Sequence, residues 1–145
     1  MSTVVVGVDG SPGSAAALKY AIEEAKLRSG NLTAVTAWSV PTLAYEADWT
    51  GAELDPHTFE AAANSTLASA LSGVDTTGVD VNRIVRQGQA ADVLVLEAGE
   101  DDLLVVGSRG LGGFRGLLLG SVSQQCTQHA RCPVTVVPHP HAEPA

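Results

Sequence analysis

Runs of β-branched residues alternate with amphipathic helical segments along nearly the whole chain, and this alternation constrains the fold more than any other feature. The first run, Thr3 to Val8, is almost continuously apolar, as expected of a strand buried on both faces. Further strands are predicted at Leu32 to Val40, Val79 to Val85, Leu103 to Val106 and Pro133 to Val137. Helices are predicted between them at Ser14 to Arg28, Phe59 to Leu71, Ala90 to Ala98 and Ser121 to Ala130. The order β-α-β-α-β-α-β-α-β predicts an α/β fold with an open parallel sheet covered by helices on both faces.

The length and composition suit one domain. The chain has 145 residues, of which 45% are hydrophobic, enough for a sizeable core. We expect a single domain over residues 1–138 and a disordered tail over residues 139–145, which are rich in proline and histidine. The segment Pro41 to Pro56 has no clean period and is predicted to be a long loop or an irregular insertion.

The net charge of −8 argues against nucleic acid or an anionic membrane as the main partner. No signal peptide precedes the first strand, and no apolar run approaches the ~18 residues that span a membrane, so a cytoplasmic protein is expected. The charge is uneven, however. Asp and Glu are absent from Leu103 to Ala142, where Arg109, Arg115 and Arg131 lie. A mildly basic segment in an acidic chain suits a phosphate ligand.

A glycine-rich stretch follows the fourth predicted strand and leads into the last predicted helix. Gly107 and Gly110 allow the backbone to turn sharply and to approach a ligand without a Cβ atom in the way. The helix is expected to begin at Gly120 and Ser121, where free N–H groups and the positive end of the helix dipole favour an anion. The hydroxyl groups of Ser121 and Ser123 add donors for phosphate oxygens. The stretch therefore predicts a phosphate site.

Other nucleotide and catalytic signatures are missing from the sequence. There is no G-x-x-x-x-G-K-[ST] loop, and the first strand runs into Gly7-Val8-Asp9-Gly10-Ser11 without a G-x-G-x-x-G fingerprint. No nucleophile elbow or Cys–His pair at motif spacing is present, and the four histidines have no metal-binding spacing. The sequence therefore favours binding without efficient turnover.

Three segments together carry a family resemblance. They are Val5 to Ser11, the pattern Gly107-x-x-Gly110 followed by nine residues and Gly120-Ser121, and the closing strand Val134 to Val137. In these segments the chain resembles the universal stress proteins, and the likeness runs from about Thr3 to Pro138. The glycine spacing is that of the family's ATP-binding branch. The resemblance implies a Rossmann-like, open, five-stranded parallel sheet of order 3-2-1-4-5.

The resemblance also implies a role for each site residue. Asp9 would contact the nucleoside, the backbone at Ala37 would contact adenine, and Val106 would line the pocket. The ribose and phosphates would be held by Gly107, Gly110, Gly120, Ser121, Val122 and Ser123. Arg109 either reaches a phosphate or faces solvent. Family members commonly dimerise through their last strands, which predicts a homodimer paired along Val134 to Val137.

The sequence leaves four functions open. The first is an ATP-binding switch in which Mg²⁺ bridges the phosphates, because the motif offers no carboxylate cluster. The second is a sensor or buffer of AMP or cyclic AMP, with the loop Gly110 to Leu119 deciding how many phosphates fit. The third is a slow ATPase, for which Arg109 and Ser123 are the nearby candidates to position water. The fourth is an interaction module whose site stays empty.

Overall fold

The computed structural model describes residues 2–40, 55–109 and 119–138. The described residues form strands β1 (Thr3–Gly7), β2 (Asn31–Trp38), β3 (Val81–Gln87), β4 (Leu103–Gly107) and β5 (Val134–Val137). They also form helices α1 (Pro12–Leu27), α2 (Pro56–Ser72), α3 (Ala90–Glu97) and α4 (Ser121–His129). Gly110, the tail 139–145 and all but the last two residues of the predicted loop Pro41 to Pro56 lie outside the described residues.

All five strands run parallel in one sheet of order β3-β2-β1-β4-β5. The predicted α/β class and the strand order implied by the resemblance are both confirmed. After β3 the chain crosses to the other half of the sheet, where β4 pairs with β1, so the strand order reverses between β1 and β4. In open parallel sheets the crevice outside the carboxyl ends of the strands at this reversal is where ligands bind.

Each face of the sheet buries its own apolar cluster. Val4 and Val6 point into the cluster that includes Leu18 of α1 and Leu67 of α2. Val5 points the other way, into the cluster that includes Leu94 of α3 and Cys126 of α4. Successive side chains of a strand point to opposite faces, so the continuous apolar run in β1 is what covering by helices on both faces requires.

Most element boundaries differ from the predicted ones by one to three residues, and two of these differences have a clear local cause. Helix α2 begins at Pro56, three residues before the predicted start, because the Asp55 carboxylate accepts a hydrogen bond from the His57 N–H (3.0 Å) and proline suits the first helical turn. Strand β3 begins at Val81, two residues after its predicted start, and Val81 lies opposite Leu32 in the ladder with β2.

None of the helices in the described part of the chain combines the length and the apolar character that crossing a membrane requires.

Candidate functional site

The turn after β1 is fixed by a hydrogen-bond network around Asp9. One carboxylate oxygen of Asp9 accepts from the backbone N–H of Ser11 (2.9 Å) and from the Ser11 hydroxyl (2.5 Å). The Ser11 Oγ in turn caps α1 by accepting from the Ser14 N–H (3.1 Å), and Ser14 Oγ accepts from the Asp9 N–H (3.2 Å). Asp9 itself is exposed at the carboxyl edge of the sheet. The network therefore holds a carboxylate in a defined position at the mouth of the crevice.

The end of β2 lies beside this turn. The ladder pairs Gly7 with Val35, so the register carries Ala37 level with Asp9. The buried Thr36 hydroxyl donates to the Val8 carbonyl oxygen (2.9 Å) and joins the two strand ends. Thr36 was not among the predicted site residues, because a threonine inside an apolar run carries no signal beyond strand propensity.

The end of β4 meets the first turn of α1 at very short range. Val106 is buried and Gly107 is the last residue of β4. A Cβ atom built on Gly107 would lie only 2.8 Å from the carbonyl oxygen of Gly13. The predicted reason for a glycine at position 107 was the approach of a ligand, and the structure adds a second reason, the approach of the α1 backbone.

Ser108, directly after β4, joins three elements through its backbone. Its N–H donates to the Val137 carbonyl at the end of β5 (2.8 Å). Its carbonyl oxygen accepts from the Gly120 N–H (2.5 Å) and from the Ser123 hydroxyl (3.1 Å), both at the start of α4. Sequence reasoning missed Ser108, since a variable position inside a glycine motif gives no sign of its partners. These bonds hold the start of α4 against the end of β4.

The beginning of α4 has the properties of an anion site. Gly120 is its N-cap residue and contributes no side-chain hydrogen bond, and the first turn contains no acidic residue. The N–H groups of Ser121, Val122 and Ser123 belong to the first turn, which has no acceptors within its own helix. In α1, by contrast, the Ser11 side chain provides such an acceptor for the Ser14 N–H. The start of α4 therefore presents donors and the positive end of a helix dipole.

The structure brings most of the predicted site residues to one edge of the sheet. Asp9, Ala37, Val106 and Gly107 lie at the ends of β1, β2 and β4, and the α4 residues follow at the same edge. Arg109 is half-buried and follows Ser108. Gly110 lies outside the described residues. Ser123 is 1% exposed, and its hydroxyl contacts protein carbonyls rather than facing outward.

A groove of about 470 Å³ lies between the start of α1 and the middle of α2. It is lined by small and hydroxyl-bearing residues, namely Gly10, Ser11, Ser14, Ala15, Ser65, Thr66, Ser69 and Ala70. None of the predicted site residues is among those that line it, although Gly10 and Ser11 directly follow Asp9. Among the residues the structure describes, no group of three or more His, Cys, Asp or Glu side chains could hold a metal ion.

A profile of the universal stress protein family matches residues 1–138. The chain belongs to this family. The universal stress protein Rv2623 of Mycobacterium tuberculosis (strain ATCC 25618 / H37Rv) is 40% identical over 135 residues, which are 92% of this chain but 44% of that protein. This universal stress protein chain thus spans less than half the length of that relative.

Solved structures of the family show the same fold. A universal stress protein in complex with cAMP is 30% identical and superposes with a TM-score of 0.62 over 96% of this chain and 98% of that chain. The universal stress protein of Archaeoglobus fulgidus in complex with dAMP is 23% identical, with a TM-score of 0.69 over 94% of this chain and 98% of that chain. The second likeness shows the fold alone.

Proposed function

We propose that this universal stress protein chain binds an adenine nucleotide, with ATP as the preferred ligand, and acts as a nucleotide-dependent switch. The observation that carries the proposal is the first turn of α4, whose N–H groups have no side-chain cap and stand beside Ser108 where the strand order reverses. An anion is the ligand that such a turn favours. Support for an adenine nucleotide comes from the related structure solved with cAMP.

The proposed roles follow the positions of the residues. The phosphates lie against the first turn of α4, where Ser121, Val122 and Ser123 supply backbone N–H groups and Ser121 adds an exposed hydroxyl. The N–H of Gly120 is bonded to Ser108, and the role of Gly120 is to leave room beside this turn for the phosphates. Gly107 allows close approach of the backbone, and Arg109 adds positive charge. Gly110 lies outside the described residues, and its role in this proposal is the one that the family resemblance implies. The carboxylate of Asp9 accepts from the nucleoside, and Ala37 and Val106 contact the base and line its pocket.

Mg²⁺, in this proposal, is bound through the phosphates of the ligand. Mg²⁺ keeps several waters and is commonly held by one or two carboxylates together with substrate phosphates. The described residues offer no carboxylate cluster at the start of α4, whose first turn contains no acidic residue. The metal would therefore enter with ATP and neutralise part of its charge. We further propose that the protein is cytoplasmic, because ATP and Mg²⁺ are both present in the cytoplasm.

We also propose that the chain forms a homodimer through β5. This strand lies at the edge of the sheet and pairs on one side with β4. Its four residues are valine and threonine, each half-buried in the single chain. An apolar edge strand exposes unpaired backbone groups that a second copy can satisfy.

A sensor or buffer of AMP or cyclic AMP is the second candidate, and the cAMP in the related structure is the observation that favours it. Isothermal titration calorimetry on nucleotide-free protein, with ATP, AMP and cAMP in the presence and absence of Mg²⁺, separates the two. We expect ATP with Mg²⁺ to bind most tightly. Tighter binding of AMP or cAMP would favour the sensor. Failure of all three to bind would overturn the proposal and leave an interaction module.

A phosphate-release assay under multiple turnover completes the test. We expect release no faster than the uncatalysed background, because the first turn of α4, where the phosphates are proposed to lie, contains no acidic residue that could act as a general base. Sustained release that is lost with nucleotide binding would show a slow ATPase instead.

A further inference from the structure

The hydroxyl of Ser123 faces into the protein. Its Oγ lies 3.1 Å from the carbonyl oxygen of Ser108 and 3.0 Å from that of Gly120, and the residue is 1% exposed. A hydroxyl has one proton to donate, so the two carbonyl oxygens share it. Both belong to backbone that borders the proposed phosphate site: Ser108 follows β4, and Gly120 caps α4.

The same carbonyl oxygen of Ser108 accepts the Gly120 N–H at 2.5 Å. Ser108 is therefore joined to α4 twice, once at the cap residue and once in the middle of the first turn. Two bonds from different positions to one acceptor fix both the distance and the tilt of a helix start. A third bond, from the Ser108 N–H to Val137, fixes the acceptor itself to β5.

We infer that Ser123 is a positioning residue, whose buried hydroxyl holds the first turn of α4 against Ser108 so that its N–H groups face the phosphates. The inference rests on the proposed function, because it concerns the same site. It assigns the Ser123 side chain to the protein and leaves only its backbone N–H for the ligand. Preorganised donors bind an anion more tightly than mobile ones, because no ordering cost remains to be met on binding.

The test compares ATP with adenosine, which lacks phosphates. In Ser123→Ala we expect the affinity for ATP to fall on the order of tenfold, the size expected for one lost hydrogen bond, and the affinity for adenosine to change less than about twofold. Ser123→Thr keeps the hydroxyl and should restore the ATP affinity. Ser72→Ala is the matched control, because its hydroxyl makes the same bond to the carbonyl three residues earlier (2.8 Å) on the exposed face of α2.

Amide hydrogen exchange at Gly120 gives a readout that needs no ligand. We expect its exchange to speed up on the order of tenfold in Ser123→Ala and to be unchanged in Ser72→Ala. Exchange at the wild-type rate would overturn the inference whatever the ligands do. A faster Gly120 amide with an unchanged ratio of ATP to adenosine affinity would overturn it too. If the wild type binds neither ligand, the proposed function fails, and the Gly120 amide alone decides whether Ser123 positions the helix.

Discussion

Gly107 and Gly13 meet backbone to backbone. A Cβ atom on Gly107 would lie 2.8 Å from the carbonyl oxygen of Gly13 and 2.9 Å from its carbonyl carbon. Separations this short are not tolerated, and neither neighbour is a side chain that can rotate away. The first turn of α1 therefore sits directly against the end of β4, at the point where the proposed ligand site begins.

Gly107→Ala is expected to destabilise the protein. The added methyl group forces the end of β4 and the first turn of α1 apart, which should lower the free energy of unfolding by about 1 to 3 kcal/mol. Urea denaturation measures it. Gly73→Ala is the control, because a Cβ atom there would meet no atom closer than 3.6 Å and its φ of −85° suits alanine. Equal midpoints for the two variants would contradict the close contact.

This contact shows where reasoning from sequence reached its limit. The motif marked Gly107 as a residue that needs a bare backbone, and the position at the end of a buried strand was correct. The partner, Gly13, lies in a different element far along the chain. A single sequence carries no signal that pairs two such glycines, because the pairing depends on the sheet order and on the docking of α1.

For the same reason, the fold could be predicted from the sequence more completely than the details of the site. Apolar runs such as the one in β1 predicted the element order, because burial on both faces leaves a pattern in the residues themselves. Ser108 and Thr36 were not predicted, because their roles consist of hydrogen bonds to backbone atoms of other elements. The inward hydroxyl of Ser123 was likewise not predicted, because one of its two acceptors is the carbonyl oxygen of Ser108, which follows a different element.

Gly120→Val is expected to abolish nucleotide binding while leaving the fold intact. Gly120 has φ −78° and ψ 173°, an extended conformation that valine adopts readily, so the backbone is not strained. The branched side chain would occupy space that a phosphate needs beside the first N–H groups of α4. Calorimetry with ATP measures the loss, and circular dichroism checks the fold.

Gly99→Val is the matched control for that substitution. Gly99 lies before β4, at the opposite edge of the sheet, and a Cβ atom there would meet its nearest neighbour, an Asp102 carboxylate oxygen, at 3.5 Å. We expect ATP to bind this variant as it binds the wild type. ATP affinity that survives Gly120→Val would show that the phosphates lie elsewhere.

Val136→Pro is expected to disrupt the proposed dimer without breaking the ladder between β4 and β5. The carbonyl oxygen of Pro133 accepts from Leu104 of β4, and that of Val137 accepts from Ser108, directly after β4. Alternate residues of a strand direct their N–H and C=O groups to the same side, so the N–H of Val136 points to the free edge. Proline at this position removes a donor that a second copy would need.

Sedimentation velocity measures that effect. The wild type should sediment as a dimer and Val136→Pro as a monomer. Thr135→Pro serves as a contrast, because the N–H of Thr135 points toward β4 and its loss should lower the thermal stability of the chain as well. A Val136→Pro variant that remains dimeric would place the dimer contact on another surface.

Cys126 is expected to make the protein less stable in alkaline solution. Burial raises the pKa of its thiol from 9.0 to about 11, with a smaller effect from Cys132. Below pH 9 the thiol is protonated in both states, and the stability is at its full value. Between pH 9 and 11 the unfolded chain ionises while the folded chain does not, so the free energy of unfolding falls, by about 3 kcal/mol in all. Urea denaturation from pH 8 to 11 should show a shallower decline in Cys126→Ala, whereas parallel curves would mean that the thiol ionises as easily in the folded protein.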